Sequence, residues 1–279
     1  MRRTRGTRPV MRHVPRKRFG QIFLIDEAAI AAIVASIAPQ PRDRVVEIGP
    51  GLGALTRPLA GRLDHLQVIE IDRDIVARLR AAFPADRVTV HEGDALRFDF
   101  SALGPGLRVV GNLPYNISTP LLFHLGRHAA AIQDIHVMLQ KEVVERMVAT
   151  PSTSEYGRLS VMLQYRFEME PVLAVPADAF RPIPKVESAV VRMVPFARLP
   201  HPARDEAALG MIVAAAFARR RKTLRNALRT HFGAADFERL GVDAGLRAQD
   251  LSVADFVRLA DSVKEAAGPP VRPAPTCAE

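Results

Sequence analysis

Between Arg44 and Val194 short apolar runs alternate with segments of helical pattern, and that alternation constrains the fold more than any other feature of the chain. Strands separated by helix-length segments give a parallel sheet with helices packed on it. The candidate strands are residues 45–48, 66–70, 88–91, 107–111 and 135–140, with helices expected around 55–62, 75–83 and 120–127. Two further runs, 162–172 and 189–194, are expected as a strand pair that closes the sheet. Residues 195–202 are rich in Pro and read as a linker. Beyond it the pattern is wholly helical, with segments near 206–228, 235–240 and 253–267. The expected organisation is a disordered basic arm over 1–18, an α/β domain over 19–199, a small C-terminal all-α domain over 203–267 and a loose tail over 268–279.

Apolar residues make up 48% of the 279, which supplies a substantial core and excludes disorder of the whole. The formal net charge of +9 is carried almost entirely by Arg, since Lys17, Lys141, Lys185, Lys222 and Lys264 are the only lysines. Such a balance suits a polyanionic partner, because Lys and Arg release counterions as they neutralise phosphates. An Arg-rich coding bias gives the same total, but without clusters. A cluster is present: Arg219-Arg220-Arg221-Lys222 continues to Arg225 and Arg229. Lys222, Arg225 and Arg229 recur at helical spacing, while Phe217, Leu224 and Leu228 fall on another face. A solvated face is the usual meaning of such a run. Here Arg221, Lys222, Arg225 and Arg229 are expected to form a cationic stripe that contacts RNA. The single Cys277 excludes a disulfide framework and a Cys-based metal site. His124, His128 and His136 are scattered in sequence, so no metal is expected. No stretch reaches the ~18 apolar residues of a membrane span. The arm lacks an apolar signal core; it passes for a transit peptide by composition, but the preferred expectation is a cytoplasmic protein.

The chemistry collects at strand ends. The first strand runs into Glu47-Ile48-Gly49-Pro50-Gly51-Leu52-Gly53, where glycines let the backbone approach a ligand that a Cβ would exclude. Glu70 ends the next strand about 20 residues on, where a carboxylate can accept both hydroxyls of a ribose. Asp94 follows a third strand. These three ends argue for a nucleoside cofactor at the switch point of an open sheet. The fourth strand ends in Asn112-Leu113-Pro114-Tyr115, an amide, a proline and a flat ring where an ordinary turn has little use for the aromatic.

The spacing Glu47-x-Gly49-x-Gly51-x-Gly53 differs from the dinucleotide fingerprint and resembles the loop of S-adenosylmethionine-dependent methyltransferases of the seven-stranded, Rossmann-like class. The resemblance narrows through Lys17 to Leu24, Asn112 to Thr119, Phe180 to Val190 and Phe217 to Asn226. Together these motifs are similar to the ribosomal RNA adenine N6-dimethyltransferases, the last in the form typical of small-subunit enzymes, over about residues 16–264. The resemblance implies S-adenosyl-L-methionine as cofactor, held by Ile22, Leu24, Gly49, Gly51, Glu70, Asp94 and Asn112. It implies that the Asn112 side-chain oxygen and the Leu113 or Pro114 carbonyl accept hydrogen bonds from the adenine N6 amine, and that Tyr115 and Phe180 stack on the flipped-out base. The implied product is two adjacent dimethyladenosines near the 3′ end of small-subunit rRNA, made by a monomer on an assembling small ribosomal subunit. One position departs from the pattern: the family usually carries Asn or His where this chain has Ile22, which leaves only the backbone to act there. The rival expectations are a large-subunit rRNA dimethylase, a DNA adenine methylase, and a binder that kept the fold without catalysis.

Overall fold

The computed structural model describes residues 21–263. The expected arm over 1–18, the tail over 268–279, Cys277 and Lys17 to Gly20 of the first motif lie outside them. Among the described residues the chain divides into two units, 21–149 with 166–198 and 150–165 with 199–263.

The strands of the first unit are β1 (Phe23–Leu24), β2 (Arg44–Ile48), β3 (Leu66–Glu70), β4 (Val88–Glu92), β5 (Leu107–Asn112), β6 (Ile132–Gln140), β7 (Phe167–Val175), β8 (Phe180–Arg181) and β9 (Ser188–Pro195). Seven of them form one sheet in the order β4-β3-β2-β5-β6-β9-β7, and β1 pairs with β8 apart from it. Neighbours from β4 through β6 are parallel, while β9 runs antiparallel to both β6 and β7. The central strands β2 and β5 are buried along nearly their whole length, as strands covered on both faces must be. At the far edge β7 carries Pro171 beside an irregularity in its register with β9, a place where a missing N–H interrupts no central ladder.

Helices α1 (Glu27–Ile37), α2 (Thr56–Ala60), α3 (Arg73–Ala82), α4 (Ser118–Arg127) and α5 (Lys141–Val148) belong to the same unit. α1 precedes the alternating segment; Asp26 caps it by accepting from the Ala29 N–H at 2.7 Å. Its Ile33, Val34 and Ile37 join Val45, Val110, Met138 and Val190 in the core. Arg108 of β5 ties this helix down. It donates to Asp134 of β6 and to Asp43 at 2.6 Å, and to the Ile37 carbonyl at 2.7 Å, so a buried guanidinium satisfies the end of α1. His124 and His128 are neighbours rather than scattered: their rings lie 4.8 Å apart against Phe100. His124 Nε2 is 2.8 Å from the Phe98 carbonyl, to which it donates. Among the described residues no group of His, Cys, Asp or Glu is placed to hold a metal ion, and no helix is long and apolar enough to cross a membrane.

The second unit holds α6 (Arg158–Gln164), α7 (Glu206–Ala218), α8 (Leu224–Ala227), α9 (Ala234–Leu240) and α10 (Val253–Asp261). Two expectations are corrected here. The run 162–172 is not one strand: Met162 to Gln164 end α6, and the strand begins at Phe167. A short apolar run does not reveal its period, and the start of α6 is fixed locally by the Gly157 N–H donating to Ser160 Oγ at 3.0 Å. Residues 150–165 also cluster with the helical unit, so the single boundary expected near 199–203 is joined by a second excursion. The other correction concerns the long helix over 206–228. It stops at Ala218, and residues 219–223 turn before α8. Thr223 there bridges antiparallel to Arg247, with the Leu224 N–H donating to the Leu246 carbonyl at 2.8 Å. Arg220 donates to the Ser154 and Tyr156 carbonyls. These long-range bonds outweigh the helical propensity of the run.

Candidate active site

The chain runs outward from β2 to β3 and β4, then returns across to β5, so the strand order reverses between β2 and β5. Open sheets bind ligands outside the carboxyl ends of strands at such a point. Register brings the ends together: Ile48 pairs with Ile69, Glu70 with Glu92 and Asn112 with Met138. Over them lies a cavity of about 320 Å³ lined by Ile22, Leu24, Gly49, Gly51, Glu70, Asp94, Asn112, Leu113, Pro114 and Tyr115. That volume is within the range of small-molecule sites, roughly 300–1,000 Å³.

The loop after β2 is a cradle that side chains would fill. Gly49 has φ +67° and Gly51 φ +53°, and a Cβ on Gly51 would lie 3.1 Å from the Phe23 ring. Both positions therefore need glycine. Glu70 is held by backbone: its Oε1 accepts the Ile71 and Asp72 N–H groups, each at 2.9 Å, and the Gly51 N–H also reaches the carboxylate. Burial raises its pKa against these bonds. Asp94 uses Oδ1 to accept the Leu96 N–H at 2.9 Å. Glu47 also lines the cavity, with its carboxyl pushed up to about 8 by complete burial. Its partner is the Thr56 hydroxyl, which donates to Oε2 at 2.7 Å and links β2 to the first residue of α2.

At the end of β5 the Asn112 amide donates through Nδ2 to the Ile22 carbonyl at 3.0 Å. This fixes which end of the amide is spent, and Oδ1 keeps its acceptor capacity. It also shows what Ile22 contributes, a backbone oxygen that any side chain leaves intact. The choice between two carbonyls is narrowed as well. The Pro114 carbonyl accepts the Ile117 N–H at 3.1 Å and the Tyr115 carbonyl accepts the Ser118 hydroxyl at 3.1 Å. The Leu113 carbonyl has no donor among the described residues. Tyr115 is half-buried, and its hydroxyl shares a 2.7 Å hydrogen bond with that of Ser188, the first residue of β9. Burial raises the Tyr115 pKa, partly offset by this bond.

Phe180 is placed differently from Tyr115. Its side chain is fully buried in the core, on the two-residue strand that pairs with Leu24, and it does not line the cavity. Tyr115 is the aromatic ring of the expected pair that faces the ligand space. Sequence reasoning missed Phe23, Ile71, Leu96 and Asn116, all in the lining; the first sits inside a quoted motif and the other three lie one or two residues past Glu70, Asp94 and Tyr115. In the second unit Arg221, Lys222, Arg225 and Arg229 are all exposed. They do not share one helix face: Arg221 and Lys222 lie in the turn, Arg225 in α8, and Arg229 beyond its end. Arg247, brought beside them by the Thr223 bridge, is exposed too.

The profile of the family described as ribosomal RNA adenine dimethylase matches residues 12–265. The chain is 61% identical to the ribosomal RNA small subunit methyltransferase A of Chromobacterium violaceum, over 91% of this chain and 97% of that protein. It is 64% identical to the enzyme of the same name from Thiobacillus denitrificans, over 88% and 96%. Among solved structures, a dimethyladenosine transferase from Plasmodium falciparum superposes with a TM-score of 0.72 at 25% identity, covering 85% of this chain and 95% of that one. The 23S rRNA methyltransferase ErmE superposes with a TM-score of 0.66 at 26% identity, covering 86% and 99%.

Proposed function

The chain belongs to the ribosomal RNA adenine dimethylase family, and from that premise we propose that it dimethylates the N6 amines of adenosines in small-subunit rRNA with S-adenosyl-L-methionine as donor. Identity of 61% and 64% to small-subunit enzymes, against 26% to a large-subunit one, favours the small subunit as substrate. The finer form of the proposal is two adjacent adenosines near the 3′ end, modified on an assembling subunit by a cytoplasmic monomer.

The cavity suits the donor. Glycines without Cβ admit a nucleoside close to the backbone, and the Glu70 carboxylate keeps acceptor capacity for ribose hydroxyls. Ile22, Leu24, Gly49, Gly51, Asp94 and Asn112 complete the cofactor side of this assignment. When bound, the donor supplies an electrophilic methyl on a sulfonium.

The single observation that carries the reading is the Asn112 amide, turned by the Ile22 carbonyl so that its oxygen remains an acceptor beside the unused Leu113 carbonyl. An adenine amine is a poor nucleophile because its lone pair is delocalised into the ring. Accepting both N6 hydrogens at these two oxygens favours a tetrahedral nitrogen, frees the lone pair and stabilises the charge that develops on it. Pro114 fixes the chain direction after Leu113 and Tyr115 offers its face to the base. The exposed cations Arg221, Lys222, Arg225 and Arg229 are proposed to meet rRNA phosphates. Incubating the protein with labelled donor and small subunits from a strain lacking the enzyme tests the whole reading. Label is expected at adenine N6 of the small-subunit rRNA, and its absence there would overturn the proposal.

A further inference from the structure

Residues 182–187 join β8 to β9, and none of the roles above uses them. Ile183 is 59% exposed and Val186 45%, with Lys185 exposed between them. Isolated exposed aliphatics are ordinary; these two are held out by a braced segment. Pro182 and Pro184 restrict its backbone. One end is fixed by β8, where Arg181 pairs with Phe23. At the other end the Lys141 N–H donates to the Glu187 carbonyl at 3.0 Å and Lys141 Nζ pairs with the Glu187 carboxylate at 2.8 Å. Ser188, next in the chain, carries the hydroxyl bonded to Tyr115 in the cavity. The segment is thus continuous with the ring assigned to the target base. Because Lys141 answers Glu187, Lys185 leaves the segment cationic. An apolar, cationic segment suits a partner with flat apolar faces and an anionic backbone.

We propose that Ile183 and Val186 form a wedge that packs on the base neighbouring the target adenosine, with Lys185 meeting the adjoining phosphate; this rests on the adenine N6 transfer proposed above. A base drawn into the cavity leaves its neighbour with a bare stacking face, and an aliphatic side chain that fills the gap offsets the unstacking. Contact with a ring face needs no N6 hydrogen. The wedge therefore works equally on a neighbour that is already dimethylated, as modification of two adjacent adenosines requires.

The test compares wild type with Ile183→Ser/Val186→Ser and with Lys185→Ala. Readouts are methyl-transfer kinetics on immature small subunits, and the fluorescence of 2-aminopurine placed beside the target in a protein-free rRNA fragment. These side chains are exposed, so melting temperature and donor affinity should match wild type. The double variant is expected to lose roughly five- to tenfold in kcat/KM, at the low end of base-stacking effects, and to abolish the fluorescence change on binding. Lys185→Ala should lose less and flatten the salt dependence. Wild-type kinetics in the double variant would overturn the wedge. So would a loss confined to whole subunits with the fragment signal intact, which would assign the segment to a ribosomal protein. A wild-type enzyme that fails to methylate small-subunit rRNA would instead overturn the function on which the wedge rests.

Discussion

The cavity of the first unit and the cationic segment of the second hold their charges in opposite ways. Glu70 is buried, and its carboxylate is met by backbone N–H groups. Arg221, Lys222, Arg225 and Arg229 stand in solvent without an ion-pair partner among the described residues. A buried acceptor acts over one hydrogen bond, depends on tenths of an ångström, and is shielded from salt. An exposed cation acts over the Debye length, tolerates displacement, and is weakened by salt. Binding the donor should therefore be precise and insensitive to ionic strength, while binding RNA should be approximate and salt-dependent.

The sharpest way to break that contrast is at Asn112. Asn112→Ala should slow methyl transfer by ~10²–10³, the size of losing one oriented group at the transition state, a far larger effect than on donor affinity. Asn112→Asp tests the orientation, since a carboxylate has no N–H to give the Ile22 carbonyl; it should be nearly as slow, and a fully active Asp variant would show that the amide need not be held. Next in size, Glu70→Ala should weaken donor binding by about 1.5–3 kcal/mol for each hydrogen bond to the charged acceptor that is removed. Calorimetry should give the same loss at low and high salt.

Glu47 offers an effect with a defined sign, smaller per pH unit. Its folded pKa of about 8 lies above the ordinary value of 4.5, so between those pH values the folded state binds more protons than the unfolded one. Stability should accordingly fall as pH rises through that window, by up to ~1.4 kcal/mol per pH unit. Glu47→Gln removes the titration, and denaturant melts from pH 5 to 8 should show a shallower slope than wild type. The smallest effect is expected at the surface. Replacing Lys222, Arg225 and Arg229 with Ala should reduce the log–log salt slope of RNA binding by roughly 0.7–0.9 for each phosphate no longer neutralised. An unchanged slope would give these cations to solvent.

The same contrast explains what could be read from the sequence. Strand ends are legible because a parallel sheet aligns them: once 45–48, 66–70 and 107–111 are strands, Gly49, Glu70 and Asn112 share an edge by register. The cavity lining holds ten of the residues named on that basis and on the motifs. The cationic stripe rests on helical spacing, which holds only while the helix continues. The break at Arg219 depends on Thr223 meeting Arg247 and on Arg220 reaching the 154–156 carbonyls, partners remote in sequence. The burial of Phe180 was hidden for a related reason. Its motif is plain, but the pairing of β8 with β1 that turns it inward has two residues on each strand, too short to carry a pattern. The amide's bond to the Ile22 carbonyl was equally invisible, since a backbone oxygen leaves no mark on residue identity.

The excursion of residues 150–165 has a consequence for anyone who would treat the helical unit as a detachable module. α6 buries Val161 and Leu163, and a Cβ on Gly210 of α7 would stand 3.9 Å from the Met162 methyl. The Ser152 N–H donates to the Gln249 carbonyl and Arg220 grips the segment at Tyr156. A chain cut at the linker after residue 198 would therefore keep a short helix while losing the neighbours that cover it, and would bare its apolar face. Grafting the C-terminal unit of a relative onto this chain poses the same problem in reverse. The exchange has two seams, and residues 150–165 must travel with the graft.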